Sequence, residues 1–216
     1  MSVKAGYLIS LDVNGRLCVV IGGDDEAAVR AKSFLDAGAK VIVVNPTINT
    51  ELRKLTASGK VIHRGRHFRA TDTQGAFVVC NTLREDEDLS RSLFELAQTE
   101  RFLVWSIDQP QVSNFMMPAV VSRGHLRIAI STSGASPALA RRLREHGETL
   151  FDEEFGQFVD WLARLREDLQ KTEPSESKRR ERLLEAVDGF QVAGQIIYPS
   201  AWVAQKDSES KPAATG

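Results

Sequence analysis

The stretch LCVVIGGDDEAAVRAKSFLDAGAKVIVVNP, residues 17–46, decides the fold class of this chain. An apolar run at 17–21 ends in two glycines, a helical pattern follows at 25–37, and a second apolar run occupies 41–44. A short apolar run that ends in glycine is typical of a buried parallel strand, and the spacing accommodates one crossover helix. The stretch therefore predicts a right-handed strand–helix–strand unit.

Alternating strand and helix patterns continue to about residue 110. Further apolar runs at 60–63, 76–80 and 102–107 are separated by helical patterns. This alternation predicts an α/β fold with an N-terminal doubly wound parallel sheet, Rossmann-like, in a dinucleotide-binding domain at 1–112. The apolar residues at 7–11 predict an additional short leading strand or hairpin before the sheet.

The pattern changes after residue 112. Two β segments at 115–121 and 126–131 have little polar alternation, so both faces of this hairpin need covering. A second copy of the same hairpin would supply that cover, which predicts a β-rich central dimerisation region at 113–147 and a homodimer.

The remainder of the chain reads as helical. Helical patterns at 150–169 and 178–193, separated by a polar break, predict a C-terminal helical domain at 148–205. Residues 206–216 are polar and low in apolar side chains, so we expect a disordered tail.

The composition is that of an ordinary globular protein, with 42% apolar and 26% charged residues. A formal net charge of −1 gives no electrostatic reason to expect nucleic acid or an anionic membrane as a partner. Cys18 and Cys80 lie in apolar runs, which favours buried free thiols. The four histidines lack metal-ligand spacing, so no protein-held metal is expected. With no signal-peptide pattern and no apolar run near the ~20 residues that span a bilayer, we expect a cytoplasmic protein.

The glycines after the first strand predict a cofactor turn. Gly22 and Gly23 lie where a dinucleotide pyrophosphate would contact a helix N-terminus. Gly22 and Ala27 fit the first and last positions of G-x-G-x-x-A, but Asp24 occupies the place of the middle glycine. Asp24 and Asp25 suit a helix-capping role, and the same position brings negative charge to the pyrophosphate site. We therefore expect NAD to bind more weakly here than to a relative with glycine at position 24.

Polar residues follow two other strands at the same predicted edge. Asn45 and Pro46 follow the second strand, where many dinucleotide folds have an acid that binds the adenosine ribose. An asparagine leaves the choice between NAD and NADP open. Asn81 and Thr82 follow the fourth strand and are predicted to form a cofactor-contact loop.

Asp108 follows the fifth strand and would also lie at the carboxyl edge of the sheet. It reads equally well as a turn residue before Pro110 and as a functional carboxylate.

A hydroxyl-rich loop precedes a helix that Ser136 and Pro137 are expected to begin. Its backbone N–H groups and hydroxyls suit either an anion site or a structural cap. Arg141, one turn into that helix, would bind substrate carboxylates or lie on a solvated face. The candidate binding residues of this loop are Ser131, Thr132, Ser133, Gly134 and Ser136.

Several segments together resemble the siroheme synthase family, specifically its precorrin-2 dehydrogenase and sirohydrochlorin ferrochelatase module. They are Gly22-Gly23, AGAKV at 37–41, VWSID at 104–108, FMMPA at 115–119, Arg123-Gly124 and IAISTSGASPALAR at 128–141. The resemblance implies NAD-dependent oxidation of precorrin-2 to sirohydrochlorin by a homodimer. In some members insertion of ferrous iron to give siroheme follows, so ferrous or cobaltous ion is a candidate substrate.

The same resemblance implies that Asp108 corresponds to a strand-end aspartate that acts in the family's chemistry. It also implies that the 131–136 loop binds a substrate rich in carboxylates. Trp105 departs from the family, which usually has asparagine there. Two other functions remain open. One is a non-catalytic tetrapyrrole-binding or dimer-scaffold protein with impaired cofactor binding, and the other is an oxidoreductase for a different small metabolite.

Overall fold

Five parallel strands form one sheet, in the order β3-β2-β1-β4-β5, and the order reverses between β1 and β4. The strands are β1 (Leu17–Ile21), β2 (Lys40–Val44), β3 (Val61–Arg64), β4 (Val78–Asn81) and β5 (Leu103–Ser106). The crossover helices are α1 (Asp25–Asp36), α2 (Thr50–Ala57) and α3 (Glu87–Glu100). The doubly wound parallel sheet predicted from the sequence is confirmed.

This computed structural model describes residues 6–194 and 197–200. The chain divides into two compact units, and the division falls between Phe151 and Asp152. The expected disordered tail at 206–216 lies outside the described residues, and the other domain boundaries drawn from the sequence stay predictions.

The sheet has a core on each face because its central strands are apolar on both sides. On one face Cys18 and Val20 pack with the small residues of α1, among them Ala28 and Ala31. On the other face Val19 and Ile21 pack with residues of α3. The alanines of α1 allow the helix to approach the strands closely, which sets its N-terminus at the carboxyl end of β1.

Residues 7–11 form no strand, so the expected leading hairpin is wrong. β1 pairs with β2 on one side and with β4 on the other, so β1 has no free edge on which a preceding strand could pair. The turn at Gly15 instead bonds to the end of the α1 loop, where its N–H donates to the Gly38 carbonyl at 2.9 Å. Tyr7 and Ile9 are exposed.

An antiparallel hairpin of β6 (Ala119–Arg123) and β7 (Leu126–Ile130) follows the sheet, and α4 (Pro137–Leu150) packs on it. Val121 is buried under α4, where a Cβ at Gly147 would lie 2.7 Å from the Val121 side chain. The Arg123 guanidinium donates to the Glu148 and Phe151 carbonyls at the end of α4. One face of the hairpin is therefore covered within the chain.

The second unit contains α5 (Glu153–Thr172) and α6 (Glu176–Glu185). Phe155, Phe158 and Phe190 form an aromatic cluster with ring centroids about 6 Å apart. The predicted helix at 178–193 is too long, because the chain turns after Glu185 and Gly189 adopts a φ of +76° that does not continue a helix.

Both cysteines are free and buried, as expected. Burial raises the pKa of the Cys18 thiol to about 11, so it is protonated at neutral pH. Within residues 6–194 and 197–200, no helix has the length and apolar character to cross a membrane. The same residues contain no group of three or more potential metal ligands.

Candidate active site

The two glycines after β1 are required by close contacts within the protein. A Cβ on Gly22, whose φ is +133°, would lie 2.0 Å from the Thr82 hydroxyl oxygen. A Cβ on Gly23 would lie 1.9 Å from the Thr47 carbonyl oxygen. The loops after β2 and β4 therefore press against this turn from both sides. The turn lies where the strand order reverses, the position at which such sheets bind ligands.

Asp24 performs the helix-capping role expected of it, whereas Asp25 bonds to a neighbouring loop. The Asp24 carboxylate accepts the Ala27 N–H at 2.9 Å, and the Thr82 hydroxyl lies 3.3 Å from the same oxygen. Asp25 accepts a hydrogen bond from the Asn49 amide at 2.7 Å. Two carboxylates thus lie at the N-terminus of α1, where the helix dipole favours negative charge.

The turn still fits a dinucleotide pyrophosphate. The N–H groups of Asp25 and Glu26 belong to the first turn of α1 and have no partner within the helix. A bound pyrophosphate can accept from these donors, as at other helix N-termini. Asp24 removes the Ala27 donor and adds a like charge. The site therefore keeps the backbone geometry of the motif and carries one unfavourable charge.

The end of β2 is organised by Asn45. Its side-chain amide donates to the Thr47 carbonyl at 2.6 Å, and its own carbonyl accepts from His63 Nε2 at 2.8 Å. Pro46 is exposed beside it. Asn49, which the sequence reasoning missed, bonds through its backbone N–H to the Gly23 carbonyl at 2.8 Å. Its position before a helix was the available signal, since asparagine is a favoured N-cap.

Asn81 and Thr82 are buried at the end of β4. The Asn81 amide donates to the Ser90 hydroxyl at 2.9 Å, and its oxygen accepts the Leu83 N–H at 3.1 Å. The Thr82 hydroxyl lies 3.1 Å from the Ile21 carbonyl. Both side chains bond within the protein. Their predicted role in binding stays a prediction.

Asp108 lies two residues beyond β5 on the same edge of the sheet. Its backbone is left-handed, with a φ of +57°, and its side chain is 74% exposed. One carboxylate oxygen lies 3.2 Å from Arg84 Nε, and the Arg84 carbonyl accepts from the Gln109 amide at 3.3 Å. These bonds join the loops that follow β4 and β5. Arg84 was missed by the sequence reasoning, because no motif distinguishes it from other surface arginines.

The loop after β4 connects the two groups of candidate residues. Thr82 contacts the glycine turn, and Arg84, two residues later, contacts Asp108. Trp105 of β5 packs partly against the core on the α1 face, with the Arg30 guanidinium 4.9 Å from its ring centroid. A cation–π contact of this kind holds the large Trp105 side chain in place.

The hydroxyl-rich loop between β7 and α4 makes local bonds. Ser131 accepts the Ser133 N–H, Thr132 accepts the Ser136 N–H, and Ser136 caps α4 by accepting the Leu139 N–H. No hydrogen bond or ion pair in the described part of the chain joins this loop to the glycine turn or to Asp108. Ser133 and Gly134 both adopt left-handed backbone conformations, which turn the chain into α4.

Arg141 projects into solvent from α4 and pairs with Glu145 at 2.9 Å. Its hydrogen bond lowers the pKa of the Glu145 carboxyl. The structure thus brings the predicted cofactor residues together at one edge, with Asp108 beside them. The predicted substrate residues of the 131–136 loop form a separate, exposed group whose role stays a prediction.

Comparison with known proteins finds two family models that match this chain. A family model described as "Putative NAD(P)-binding" matches residues 9–119, and a model of the sirohaem biosynthesis protein central region matches residues 123–146. The precorrin-2 dehydrogenase of Priestia megaterium is 31% identical over 84% of this chain and 89% of its own length. The solved structure titled "SirC, precorrin-2 dehydrogenase" has a TM-score of 0.72 at 29% identity, covering 85% of this chain and 90% of that one.

The siroheme synthase of Neisseria meningitidis serogroup C is 33% identical over 81% of this chain. That match covers only 36% of the synthase, so the chain spans little more than a third of this longer relative. Precorrin-2 dehydrogenase, by contrast, aligns along most of its length, through both the nucleotide-binding sheet and the hairpin region. The chain therefore belongs to the family of precorrin-2 dehydrogenases and the corresponding part of siroheme synthases.

Proposed function

We propose that this chain oxidises precorrin-2 to sirohydrochlorin with NAD as the cofactor, as a step of siroheme biosynthesis. The observation that carries the proposal is the common edge of the sheet that holds both the glycine turn and the Arg84–Asp108 pair. The first turn of α1 and the glycine turn before it would hold the pyrophosphate of a nicotinamide dinucleotide. Family membership supports the tetrapyrrole as the substrate.

The proposed reaction removes a hydride and a proton from the macrocycle. The chemistry that a bound NAD would supply is acceptance of the hydride. Asp108 accepts the proton, because its exposed carboxylate is open to a substrate that approaches the edge from solvent. Arg84 orients that carboxylate through the 3.2 Å ion pair and is itself half exposed, so it is also free to meet a substrate carboxylate.

The direct test mixes the full chain with precorrin-2 and NAD and follows absorbance. Sirohydrochlorin formed together with an equal amount of reduced nicotinamide supports the proposal. Tetrapyrrole that binds without being oxidised supports the non-catalytic binder instead. Failure of the tetrapyrrole to bind supports an oxidoreductase for another metabolite.

Metal insertion is a second reaction that we propose for the same edge. Ferrous or cobaltous ion, as substrate, displaces protons from the macrocycle nitrogens, and Asp108 is positioned to accept them. Adding either ion to sirohydrochlorin and the chain, without NAD, tests this step separately from the oxidation. The proposed substrates are water-soluble, and we propose that both reactions occur in the cytoplasm.

We further propose that the chain is a homodimer. The hairpin face that α4 does not cover contains Val120, Ser122, Arg127 and Ala129, all exposed in the single chain. Pairing with a second hairpin would bury the apolar members of this face. Light scattering coupled to size exclusion is expected to give twice the chain mass of 23.9 kDa, and a Val120→Lys variant is expected to shift the population to monomer.

Asp24 is predicted to weaken cofactor binding through its charge. At about 4 Å and an effective dielectric constant of about 20, two unit charges repel by about 4 kcal/mol, and solvent reduces this at an exposed turn. We expect Asp24→Asn to tighten NAD binding about tenfold, because asparagine keeps the helix cap while it removes the charge. Calorimetric titration of NAD into both proteins measures the effect.

Asp36→Asn is the matched control, since it removes one exposed carboxylate at the opposite end of the same helix. Its NAD dissociation constant is expected to equal that of the wild type. Equal dissociation constants for wild type and Asp24→Asn would remove the electrostatic argument.

A further inference from the structure

A strongly basic segment follows β3. Residues 63–69 read HRGRHFR and contain three arginines and two histidines without any acidic residue. The proposed function uses none of them. Two of these arginines, Arg64 and Arg66, are held beside each other by one buried carboxylate, that of Asp72.

Asp72 fixes this pair in place. Its side chain is fully buried and accepts two hydrogen bonds from Arg66 at 2.7 Å, one from Arg64, and one from the Arg69 backbone N–H at 2.8 Å. The side chains of Arg64 and Arg66 remain 36% and 31% exposed. One carboxylate thus pre-orients two cations, and the three groups together keep a net positive charge.

The pair retains unused donors. A guanidinium has five N–H groups, and Arg64 uses one of them, on Asp72. Arg66 uses three, two on Asp72 and one on the His67 carbonyl at 3.0 Å. Two pre-oriented guanidiniums with free, partly exposed N–H groups match the geometry and charge of a phosphate.

The position of Arg64 connects this pair to the cofactor edge. Arg64 is the last residue of β3 and pairs in register with Val44, the last residue of β2. The Asn45 N–H donates to the Arg64 carbonyl at 3.3 Å. In doubly wound folds the end of β2 contacts the adenosine ribose, and an arginine nearby accommodates a ribose 2′-phosphate.

The end of β2 also lacks the acid that would exclude such a phosphate. Residues 44–49 read VNPTIN and contain no carboxylate. An acid at the position of Asn45 would bind the free ribose hydroxyls and repel a 2′-phosphate. The strand that pairs with the end of β2 ends in Arg64, one of the cations of the 63–69 segment.

We propose that Arg64 and Arg66 form a subsite for a phosphate monoester on the adenosine ribose, so that the chain binds NADP as well as NAD. This inference rests on the cofactor site of the proposed function and names a specificity element within it. The 2′-phosphate accepts hydrogen bonds from the free guanidinium donors, and Asp72 holds those donors in position.

The test compares ligands that differ by this phosphate alone. Calorimetric titrations of the full chain with NAD and with NADP, at constant low salt, are expected to show NADP binding about tenfold more tightly. Arg64→Gln is expected to remove this difference and to leave the NAD dissociation constant within about twofold. Arg64 is chosen for substitution because Arg66 then still donates hydrogen bonds to the buried Asp72 carboxylate. Circular dichroism verifies that the variant is folded.

Two controls separate a defined subsite from general positive charge. Arg91→Gln removes an exposed arginine from α3 and is expected to leave the NADP preference unchanged. Adenosine 2′,5′-bisphosphate is expected to compete with NADP more strongly than adenosine 3′,5′-bisphosphate, which has the same charge in another place. If Arg64→Gln does not fold, Arg64→Lys is used instead. Lysine keeps the positive charge but lacks the two-pronged guanidinium, so this variant is expected to lose part of the preference for NADP over NAD.

The possible failures are distinguishable. If NAD and NADP bind equally, or if NADP preference survives in Arg64→Gln, the inference is overturned while the proposed cofactor site stands. If neither dinucleotide binds, the cofactor part of the proposed function fails and the inference fails with it.

Discussion

Replacing Asp108 by asparagine is expected to lower the rate of precorrin-2 oxidation by about a hundredfold or more, the range found when a positioned general base is removed. Asparagine keeps the size and the left-handed backbone tolerance of aspartate, so the turn beyond β5 is preserved. It cannot accept the substrate proton. The rate is measured as the appearance of reduced nicotinamide at saturating precorrin-2 and NAD.

Substrate and cofactor binding should survive in Asp108→Asn. The ion pair with Arg84 lies at the surface, where such pairs contribute at most about 1 kcal/mol to stability, so the variant is expected to fold normally. Asp36→Asn serves as the control for loss of one exposed carboxylate and is expected to retain full activity. If Asp108→Asn oxidises precorrin-2 at the wild-type rate, another group accepts the proton and the proposed mechanism is wrong.

Substitution of Arg84 is expected to have a smaller effect on the same oxidation rate. Arg84→Gln removes the charge that orients Asp108 and is expected to lower kcat less than Asp108→Asn does. The informative measurement is kcat separately from KM, because loss of the orienting ion pair lowers kcat at saturating precorrin-2.

The sheet was predictable because its signal is local. Each strand is a short apolar run buried on both faces, and Gly22 and Gly23 mark the turn after β1 without any tertiary information. The leading strand at 7–11 was wrong for a tertiary reason. Its apolar residues satisfy the strand pattern, but the neighbours of β1 are already β2 and β4, and no sequence window reports that.

The site was only partly predictable. Asp24 as a helix cap and Ser136 before Pro137 follow from local rules, and the structure has both. Asn81 and Thr82 followed from their place after a strand, but the direction of their side chains depends on α3 and on the glycine turn. Partnerships between distant residues, such as Arg84 with Asp108, depend on how neighbouring loops meet.

The cluster of Asp72 with Arg64 and Arg66 shows most clearly that partnerships between distant residues cannot be predicted from local sequence. A single acid eight residues after Arg64 reads as an ordinary surface residue, because aspartate is seldom fully buried. In the structure it is among the most buried polar residues described, and it organises two arginines. Its energetic importance is therefore a prediction that only the structure supports.

Asp72→Asn is expected to lower the free energy of unfolding by about 3 kcal/mol at neutral pH. Removing one partner of a buried ion pair commonly costs this much, because the remaining charges lose their compensation. Asparagine also turns an N–H₂ group towards guanidinium donors, which leaves donors facing donors. Urea unfolding followed by circular dichroism, for wild type and variant, measures the difference.

The pH dependence of the stability difference between wild type and Asp72→Asn shows whether the charge of Asp72 causes it. Hydrogen bonds from Arg66, together with those from the Arg69 backbone and from Arg64, hold the pKa of the Asp72 carboxyl far below its ordinary value of about 4. As the pH falls below about 4, the unfolded chain binds the proton first, so the wild type loses the stability that Asp72 provides above that pH. The gap between wild type and Asp72→Asn is therefore expected to narrow steadily as the pH is lowered from 5. A gap that stays constant with pH would mean that Asp72 stabilises the fold by its shape and packing rather than by its charge.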